Sequence, residues 1–169
     1  MPGTDAKYQH SPSTNLYRPC IECKKKRTLC IRARRKGNLG HALLSVHEPL
    51  ADGSTATTTY GLWPKAGGTS RGSSDIRVND SGDKFGDDPD AWNPKDVKCK
   101  EMDEKDEEKL KKALNKGEQY NFTSGNWCST WASRTYNGVT GSNLSGFTPN
   151  SLANSINPPQ LDDLSGVIP

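Results

Sequence analysis

Long hydrophobic segments are absent from this sequence of 169 residues. No apolar run approaches the roughly 20 residues that a membrane-spanning helix needs. The N-terminus also lacks the apolar segment that a cleaved signal peptide contains. We therefore expect a soluble protein with no transmembrane segment, which is secreted without a signal peptide if it leaves its cell.

Hydrophobic residues of all kinds are scarce, at 31% of the chain, and histidine occurs only three times. This composition allows one small core surrounded by long loops, so we expect a single domain. Polar, proline-containing stretches at both ends predict a disordered tail over 1–19 and a strap or tail over 158–169. The folded domain is then expected over 20–157.

The charges are distributed unevenly, although the net charge is only +3. Residues 20–36 contain eight lysines and arginines with one glutamate, whereas residues 80–108 contain twelve acidic residues with five lysines. The simpler interpretation is that the two segments pair with each other across the fold. The alternative is that the basic segment binds nucleic acid or another anionic polymer.

Two strands that form an antiparallel hairpin are predicted over 40–48 and 54–64. GHALLSVHE is mostly apolar, STATTTYGLWP is rich in threonine and aromatic residues, and a short polar turn separates them. The two-residue period of a strand puts His41 and His47 on one face, with the residues that alternate with them on the other. A short third strand is expected over 75–80.

Two helices are predicted further along the chain. The segment 102–117 has acidic residues in its first turns, lysines in its last turns and a glycine at its end, an order that suits the helix dipole. A second helix follows a loop, is expected to be capped by Asn126 or Ser124, and should end at about Tyr136 before an Asn-Gly pair. The expected architecture is α+β, with a small antiparallel sheet packed against the second helix.

Cys128 would lie in the first turn of the second helix, where a cysteine can act as a nucleophile. The N–H groups and the positive dipole end favour a thiolate over a thiol and can stabilise an oxyanion. Such a nucleophile also uses a histidine base. His41 and His47 lie about 20 Å apart on an extended strand, so only one can face Cys128. We favour His41, because the preceding glycine lets another backbone approach. The competing interpretation is a small buried cysteine and a hydrogen-bonded histidine.

The residue that orients the imidazole is expected on a strand next to His41. An acid suits this role because it stabilises the imidazolium. Asp80 is favoured over Asp75, and Tyr60 of the second strand is a further candidate.

The other four cysteines, Cys20, Cys23, Cys30 and Cys99, permit several arrangements. The first three have the C-x2-C-x6-C spacing of half a fungal binuclear zinc cluster, but the second half is absent. One alternative is a mononuclear zinc site completed by Cys99. A second is one or two disulfides formed in an oxidising compartment, and a third is reduced cysteines without a common role. The odd total leaves at least one cysteine without an intramolecular disulfide partner.

The order of these motifs resembles that of permuted papain-like cysteine hydrolases of the NlpC kind, in particular the branch found among type VI secretion effectors and polymorphic toxins. The matching stretches are GHALLSV at 40–46, TTTYGLWP at 57–64, EEKLKKALNKGEQYNFTSGNWCSTWAS at 107–133 and FTPNSLANSI at 147–156. In permuted folds the histidine strand precedes the cysteine helix. The resemblance implies Cys128 as nucleophile and His41 as general base. Related sequences often have an asparagine directly before the cysteine; here Trp127 intervenes and Asn126 is one residue further back, so Asn126 departs from the pattern as a substrate-positioning residue.

The resemblance further implies an antibacterial effector that cleaves an amide bond in peptidoglycan stem peptides through an acyl-enzyme. Such an effector needs no cofactor, acts in the target-cell periplasm and is neutralised by an immunity protein. Trp63 and Trp131 are expected in the core unless one of them lines the substrate groove. Two alternatives stay open. One is an acyl-lipid hydrolase or acyltransferase of the same fold, and the other is a non-enzymatic binder of an anionic polymer through 20–36, with nucleic acid the less favoured ligand.

Overall fold

A computed structural model describes residues 15–35, 40–64, 74–78 and 93–159 of the chain. The described elements are, in order, β1 (Thr28–Arg34), β2 (His41–Pro49), β3 (Thr55–Leu62), β4 (Ile76–Val78), β5 (Val97–Glu101), α1 (Glu104–Asn115), α2 (Cys128–Thr140) and α3 (Pro149–Ile156). The α+β class predicted from the sequence is confirmed. Among the helices described, none has both the length and the apolar character that crossing a bilayer requires.

The five strands form one antiparallel sheet in the order β4-β3-β2-β1-β5. The hairpin of β2 and β3 was predicted correctly, with Leu44 opposite Tyr60. β1 and β5 were not predicted. β1 alternates apolar with basic or polar residues, which is the pattern of a half-buried strand, but its arginines made the segment read as a basic patch.

The core lies between one face of the sheet and the three helices. On β2 the core residues are Ala42, Leu44 and Val46, and they form one apolar cluster with residues of all three helices. Because successive residues of a strand point to opposite faces, His41 and His47 point the other way. We call this second side of the sheet the far face.

Helix α1 is fixed by a capping box at its start and by a glycine at its end. The Asp103 side chain accepts a hydrogen bond from the Asp106 N–H, and the Asp106 side chain accepts one from the Asp103 N–H. Leu110 and Leu114 are buried against the core. Gly117 follows with a φ of +77°, a conformation that suits glycine.

Helix α2 begins at Cys128, at the predicted place, but with a different cap. The N-cap residue is Trp127, whose N–H donates to the Thr130 hydroxyl at 2.9 Å. Neither Asn126 nor Ser124 caps the helix, so this prediction was wrong. Instead, the hydroxyl of Thr130, in the first turn of the helix, accepts the hydrogen bond from the N–H of the N-cap residue.

The end of α2 was also predicted wrongly. The helix continues through Asn137 and the following glycine to Thr140, and it ends at Gly141 with a φ of +76°. The side chain of Asn137 donates to the Leu144 carbonyl and accepts from the Leu144 N–H. The asparagine therefore ties the helix to the segment that follows rather than breaking it.

The folded part begins earlier than predicted. Leu16 and Tyr17, assigned from the sequence to the disordered tail, pack against the core. The Tyr17 N–H also donates to the side chain of Asn115 at 3.0 Å. These residues belong with the domain, which corrects the boundary of the tail. Residues 1–14 and 160–169, with most of the two predicted tails, lie outside the described residues.

Cys20 and Cys23 form a disulfide, and the short loop that it closes is held on β2 by one buried carboxylate. Glu48 accepts hydrogen bonds from the N–H groups of Ile21, Glu22 and Cys23 at 2.6, 2.8 and 3.3 Å. Burial raises the pKa of Glu48, but these three donors outweigh it, so the pKa lies below its usual value. The loop is therefore attached to an ionised side chain of the central sheet.

Ion pairs join the basic segment to the acidic one. The buried guanidinium of Arg27 donates to both carboxylate oxygens of Glu107, at 2.8 and 2.7 Å. Arg35 pairs with Asp96 at 2.7 Å. The interpretation that the two charged segments pair across the fold is borne out for these two arginines, of which Arg27 is buried and Arg35 is partly exposed.

We expect Glu107→Ala to lower the free energy of unfolding at pH 7 by about 2 kcal/mol, because it strands the buried Arg27 guanidinium. Glu108→Ala, at the exposed neighbouring position, is the matched control and should change it by less than about 0.5 kcal/mol. Urea unfolding measures both. Equal effects of the two substitutions would contradict a role for this ion pair.

The ion pair between Arg27 and Glu107 also predicts that the free energy of unfolding depends on pH. Burial raises the pKa of Glu107, but hydrogen bonds from Arg27 and Tyr17 lower it to below its usual 4.5. A carboxylate with a lowered pKa stabilises the fold fully above its unfolded pKa and loses that contribution as the pH falls through its folded pKa. The difference in stability between wild type and Glu107→Gln should therefore shrink as the pH is lowered from about 6 to about 3. A difference independent of pH would contradict this.

Candidate functional site

Cys128 lies where the buried face of α2 meets the solvent. Ala132, Tyr136 and Val139 follow it at helical spacing and are all buried. Cys128 itself is partly exposed and carries a free thiol. Its position combines contact with the core and access from outside, which is what a nucleophile on a helix needs.

The remaining cysteines pair as two disulfides, Cys20–Cys23 and Cys30–Cys99. The second bridges paired residues of β1 and β5. All four thiols are used in these bonds, so the zinc arrangement does not occur. Within the described ranges, no group of three or more histidine, cysteine or acidic side chains is placed to hold a metal ion.

The start of α2 and the start of β2 lie at the same end of the molecule. The Phe147 carbonyl oxygen accepts hydrogen bonds from the Trp127 indole and the Ser129 hydroxyl. Two residues later, Pro149 packs against Gly40, which immediately precedes β2. Two residues of chain span at most about 7 Å, so this short segment connects the two starts directly.

Gly40 is required by its surroundings. Its φ is +57°, and a Cβ there would lie 2.4 Å from the Arg34 carbonyl oxygen and 2.9 Å from Pro149 Cβ. Any other residue would strain the backbone and collide with the main chain of β1. The prediction that another backbone approaches Gly40 closely is confirmed.

His41 belongs to a row of side chains on the far face. It pairs with Arg34 of β1, and its ring lies on Trp63 with the two centroids 4.3 Å apart. The Trp63 N–H donates to the Asp75 carbonyl oxygen, which puts Asp75 next in the row. His41 is only 2% exposed. Because α2 packs on the opposite face, strand alternation directs the His41 imidazole away from that helix.

The acid predicted to orient the imidazole was Asp80, which lies outside the described residues. Asp75, the second choice, binds the loop before α2: its Oδ2 accepts from the Tyr120 N–H at 2.8 Å, and its N–H donates to the Glu118 carbonyl at 2.7 Å. Burial raises the pKa of Tyr120, and the nearby Cys128 raises it further. Asp75 therefore helps to hold the chain that leads to the cysteine.

His47 and Tyr60 have structural roles. The His47 ring nitrogens lie 2.8 Å from the Ser45 hydroxyl and 3.0 Å from the Thr57 hydroxyl. Burial and, to a smaller extent, the charge of Arg32 lower the pKa of His47, which favours the neutral ring. Tyr60 faces the core, so it does not orient the His41 imidazole on the far face.

Three further residues predicted to contact substrate are engaged within the fold. Trp131 is 1% exposed in the core, which is the expected position, and the alternative that it lines a substrate groove is excluded. Trp63 is buried on the far face beneath the guanidinium of Arg77. The Asn126 amide donates to Glu118 Oε1 at 2.7 Å, and its oxygen accepts from Arg134, so it fixes the loop before α2.

The surface beside Cys128 carries aromatic rings that the sequence analysis missed. Trp127 contacts Phe122 and Phe147, with ring centroids 5.3 and 4.8 Å apart. Phe122 is 71% exposed and Phe147 65%. We call these three residues the aromatic shelf. A signal was present in the sequence, because large aromatic residues in a stretch otherwise made of small polar residues and glycine are unusual unless they pack or bind.

No family model matches the chain, and neither a curated protein nor a solved structure matches it. The permuted papain-like family and its fold therefore stay predictions from the motifs. What the chain can do chemically is argued below from its own side chains.

Proposed function

We propose that the protein is a cysteine hydrolase in which Cys128 attacks a carbonyl carbon and forms a covalent acyl-enzyme. One observation carries the proposal. The single reduced cysteine of the chain is the first residue of a helix, at the border of core and solvent, while the other four are in disulfides. The first turn of a helix also presents N–H groups that can donate to the oxyanion formed in such chemistry.

The proposed reaction uses the first turn of α2. The thiolate attacks the carbonyl carbon of an amide, and the N–H groups of Cys128, Ser129 and Thr130, which precede the first hydrogen bond inside the helix from the Trp131 N–H, can donate to the resulting oxyanion. The carbon–nitrogen bond then breaks and the amine leaves with a proton. Water hydrolyses the thioester, returning the thiol and releasing the acid.

His41 is the proposed general base, and its geometry makes this the part of the proposal most open to test. It lies at the same end of the sheet as Cys128, but strand alternation turns its ring toward Trp63 on the far face. If His41 proves dispensable, Cys128 remains the proposed nucleophile without this base.

The substrate we propose is an amide bond of peptidoglycan stem peptides, with the protein acting as an antibacterial effector in the periplasm of a target cell. The motif resemblance supports the substrate class. Two disulfides support an oxidising compartment, because such bonds persist there and not in a reducing cytosol. An effector of this kind implies an immunity protein that blocks its active site. The alternative binding role of 20–36 is weakened by the pairing of Arg27 and Arg35 inside the fold.

Digestion of purified cell wall, read by mass spectrometry, tests the proposal. We expect new peptide termini with the wild type. His41→Ala should lower the rate at least about 100-fold if His41 is the base, whereas His47→Ala, the matched control on the same strand, should leave it within about threefold. Unchanged activity of His41→Ala would exclude His41 as the base but would leave Cys128 as the proposed nucleophile. The absence of any cleavage product from cell wall would contradict the proposed substrate.

A further inference from the structure

Hydrogen bonds connect the parts of the chain that carry the aromatic shelf. The Trp127 indole N–H donates to the Phe147 carbonyl, which links the start of α2 to the segment before α3. Phe122 lies in a tight loop closed by two hydrogen bonds between the main chains of Asn121 and Asn126. A ring fixed in this way, as the Trp127 indole is, loses little conformational freedom when a ligand binds, which favours affinity.

The segment that carries the shelf contains almost no charged residues. Between Gln119 and Pro159 the one charged residue is Arg134, and its charge is paired with Glu118. The residues beside the rings are small and neutral, and they expose hydroxyl and amide groups: Asn121, Thr123, Ser124, Thr148 and Asn150. By comparison, charged residues make up 25% of the whole chain.

We propose that the aromatic shelf binds an uncharged carbohydrate, specifically a chain of N-acetylated hexosamines, beside Cys128. The C–H face of a pyranose ring is apolar and slightly positive, so it rests on the negative face of an aromatic ring. Its hydroxyl and acetamido groups hydrogen-bond to neutral side chains at the edge of the rings. The shelf offers both kinds of contact, and its neutrality matches a ligand without charge.

Other ligands fit this surface less well. A long acyl chain is bound in an apolar groove that encloses it, whereas Phe122 and Phe147 stand mostly exposed and are bordered by polar groups. A nucleic acid or an anionic membrane is bound through lysines and arginines, which the shelf lacks. The inference rests on the proposed function in one respect: the sugar chain would be the glycan strand that carries the cleaved stem peptide.

Binding can be measured separately from hydrolysis in the full chain carrying Cys128→Ala. The probe is the soluble β-1,4-linked tetramer of N-acetylglucosamine, titrated by calorimetry. In this background, Phe122→Ala and Trp127→Ala should each weaken binding by about tenfold or more. Ile21→Ala is the matched control, because it removes another exposed hydrophobic side chain, 70% exposed, from a different part of the surface, and it should leave the affinity unchanged. Trp127→Phe, which keeps a ring, should retain most of it.

Salt separates the proposed ligand from a charged one. Raising the salt concentration from about 50 to about 500 mM should change the affinity less than about twofold, because no counterions are released when a neutral ligand binds. Absence of binding, binding that survives both shelf substitutions, or a steep fall with salt would overturn the inference. Shelf-dependent binding to phosphatidylcholine vesicles, without binding to the tetramer, would overturn it in favour of an acyl ligand.

The outcomes distinguish this inference from the proposed function. Shelf-dependent binding of the tetramer, combined with no hydrolysis by the wild type, would contradict the hydrolase and leave the carbohydrate site standing. Hydrolysis of cell wall by a protein that does not bind the tetramer would contradict the carbohydrate site and leave the hydrolase standing. Because Phe122 is mostly exposed, its truncation should leave no cavity, so loss of binding in that variant reports on the ligand.

Discussion

Cys128→Ser is expected to reduce the rate of cell-wall hydrolysis by about 10⁴-fold or more, because an alcohol at the helix start does not ionise as a thiol does. The free energy of unfolding should change by less than about 1 kcal/mol, since the two side chains are nearly the same size and Cys128 is only partly buried. Release of soluble fragments from purified cell wall, with mass spectrometry of the acyl-enzyme, measures the effect.

Two controls make this result specific. Ser142→Ala, beyond the other end of α2, should keep wild-type activity. Iodoacetamide should add one group to the unreduced wild type and none to Cys128→Ser, because the other four cysteines are in disulfides. A serine variant that still releases fragments at the wild-type rate would exclude Cys128 as the nucleophile.

Removing the Cys30–Cys99 disulfide by a double substitution to alanine is expected to lower the free energy of unfolding by about 4 kcal/mol. The bond joins residues 69 positions apart, so it restricts the unfolded chain strongly. It also links β1 to β5, the strand at the edge of the sheet. Urea unfolding without reductant measures the loss.

The second disulfide supplies the matched control. Cys20 and Cys23 are 3 positions apart, and closing so short a loop constrains the unfolded chain by only about 2 kcal/mol. The double alanine variant of this pair should therefore be clearly more stable than that of the long pair. The opposite order would mean that the short bridge stabilises through native contacts of its loop with Glu48 rather than through chain entropy.

The parts of the fold that could be predicted are those set by local patterns. The β2–β3 hairpin follows from two strand-like runs around a turn, and the acidic and basic ends of α1 predict that helix. β1 was missed because the basic residues on it and just before it are typical of a surface patch. Arg27, just before it, is buried by Glu107 on α1, and no pattern within the strand identifies that partner.

The same distinction applies to the candidate site. The position of Cys128 at a helix start is local and was predicted. The face of β2 that carries His41 was also readable, but which face the helices cover is decided by packing across the whole domain. The aromatic shelf depends on the bond from Trp127 to the Phe147 carbonyl, twenty positions away, so spacing along the chain does not bring its members together.

Gly40 lies where three segments of the chain meet: the end of β1, the start of β2 and the start of α3. Its missing side chain leaves just enough room for the carbonyl that ends β1 and for the proline that begins α3. Even a methyl group at this position would push on both neighbours and on the first residue of β2 at once. Gly40→Ala would therefore displace segments that are far apart in the chain, and these segments lie at the same end of the molecule as Cys128.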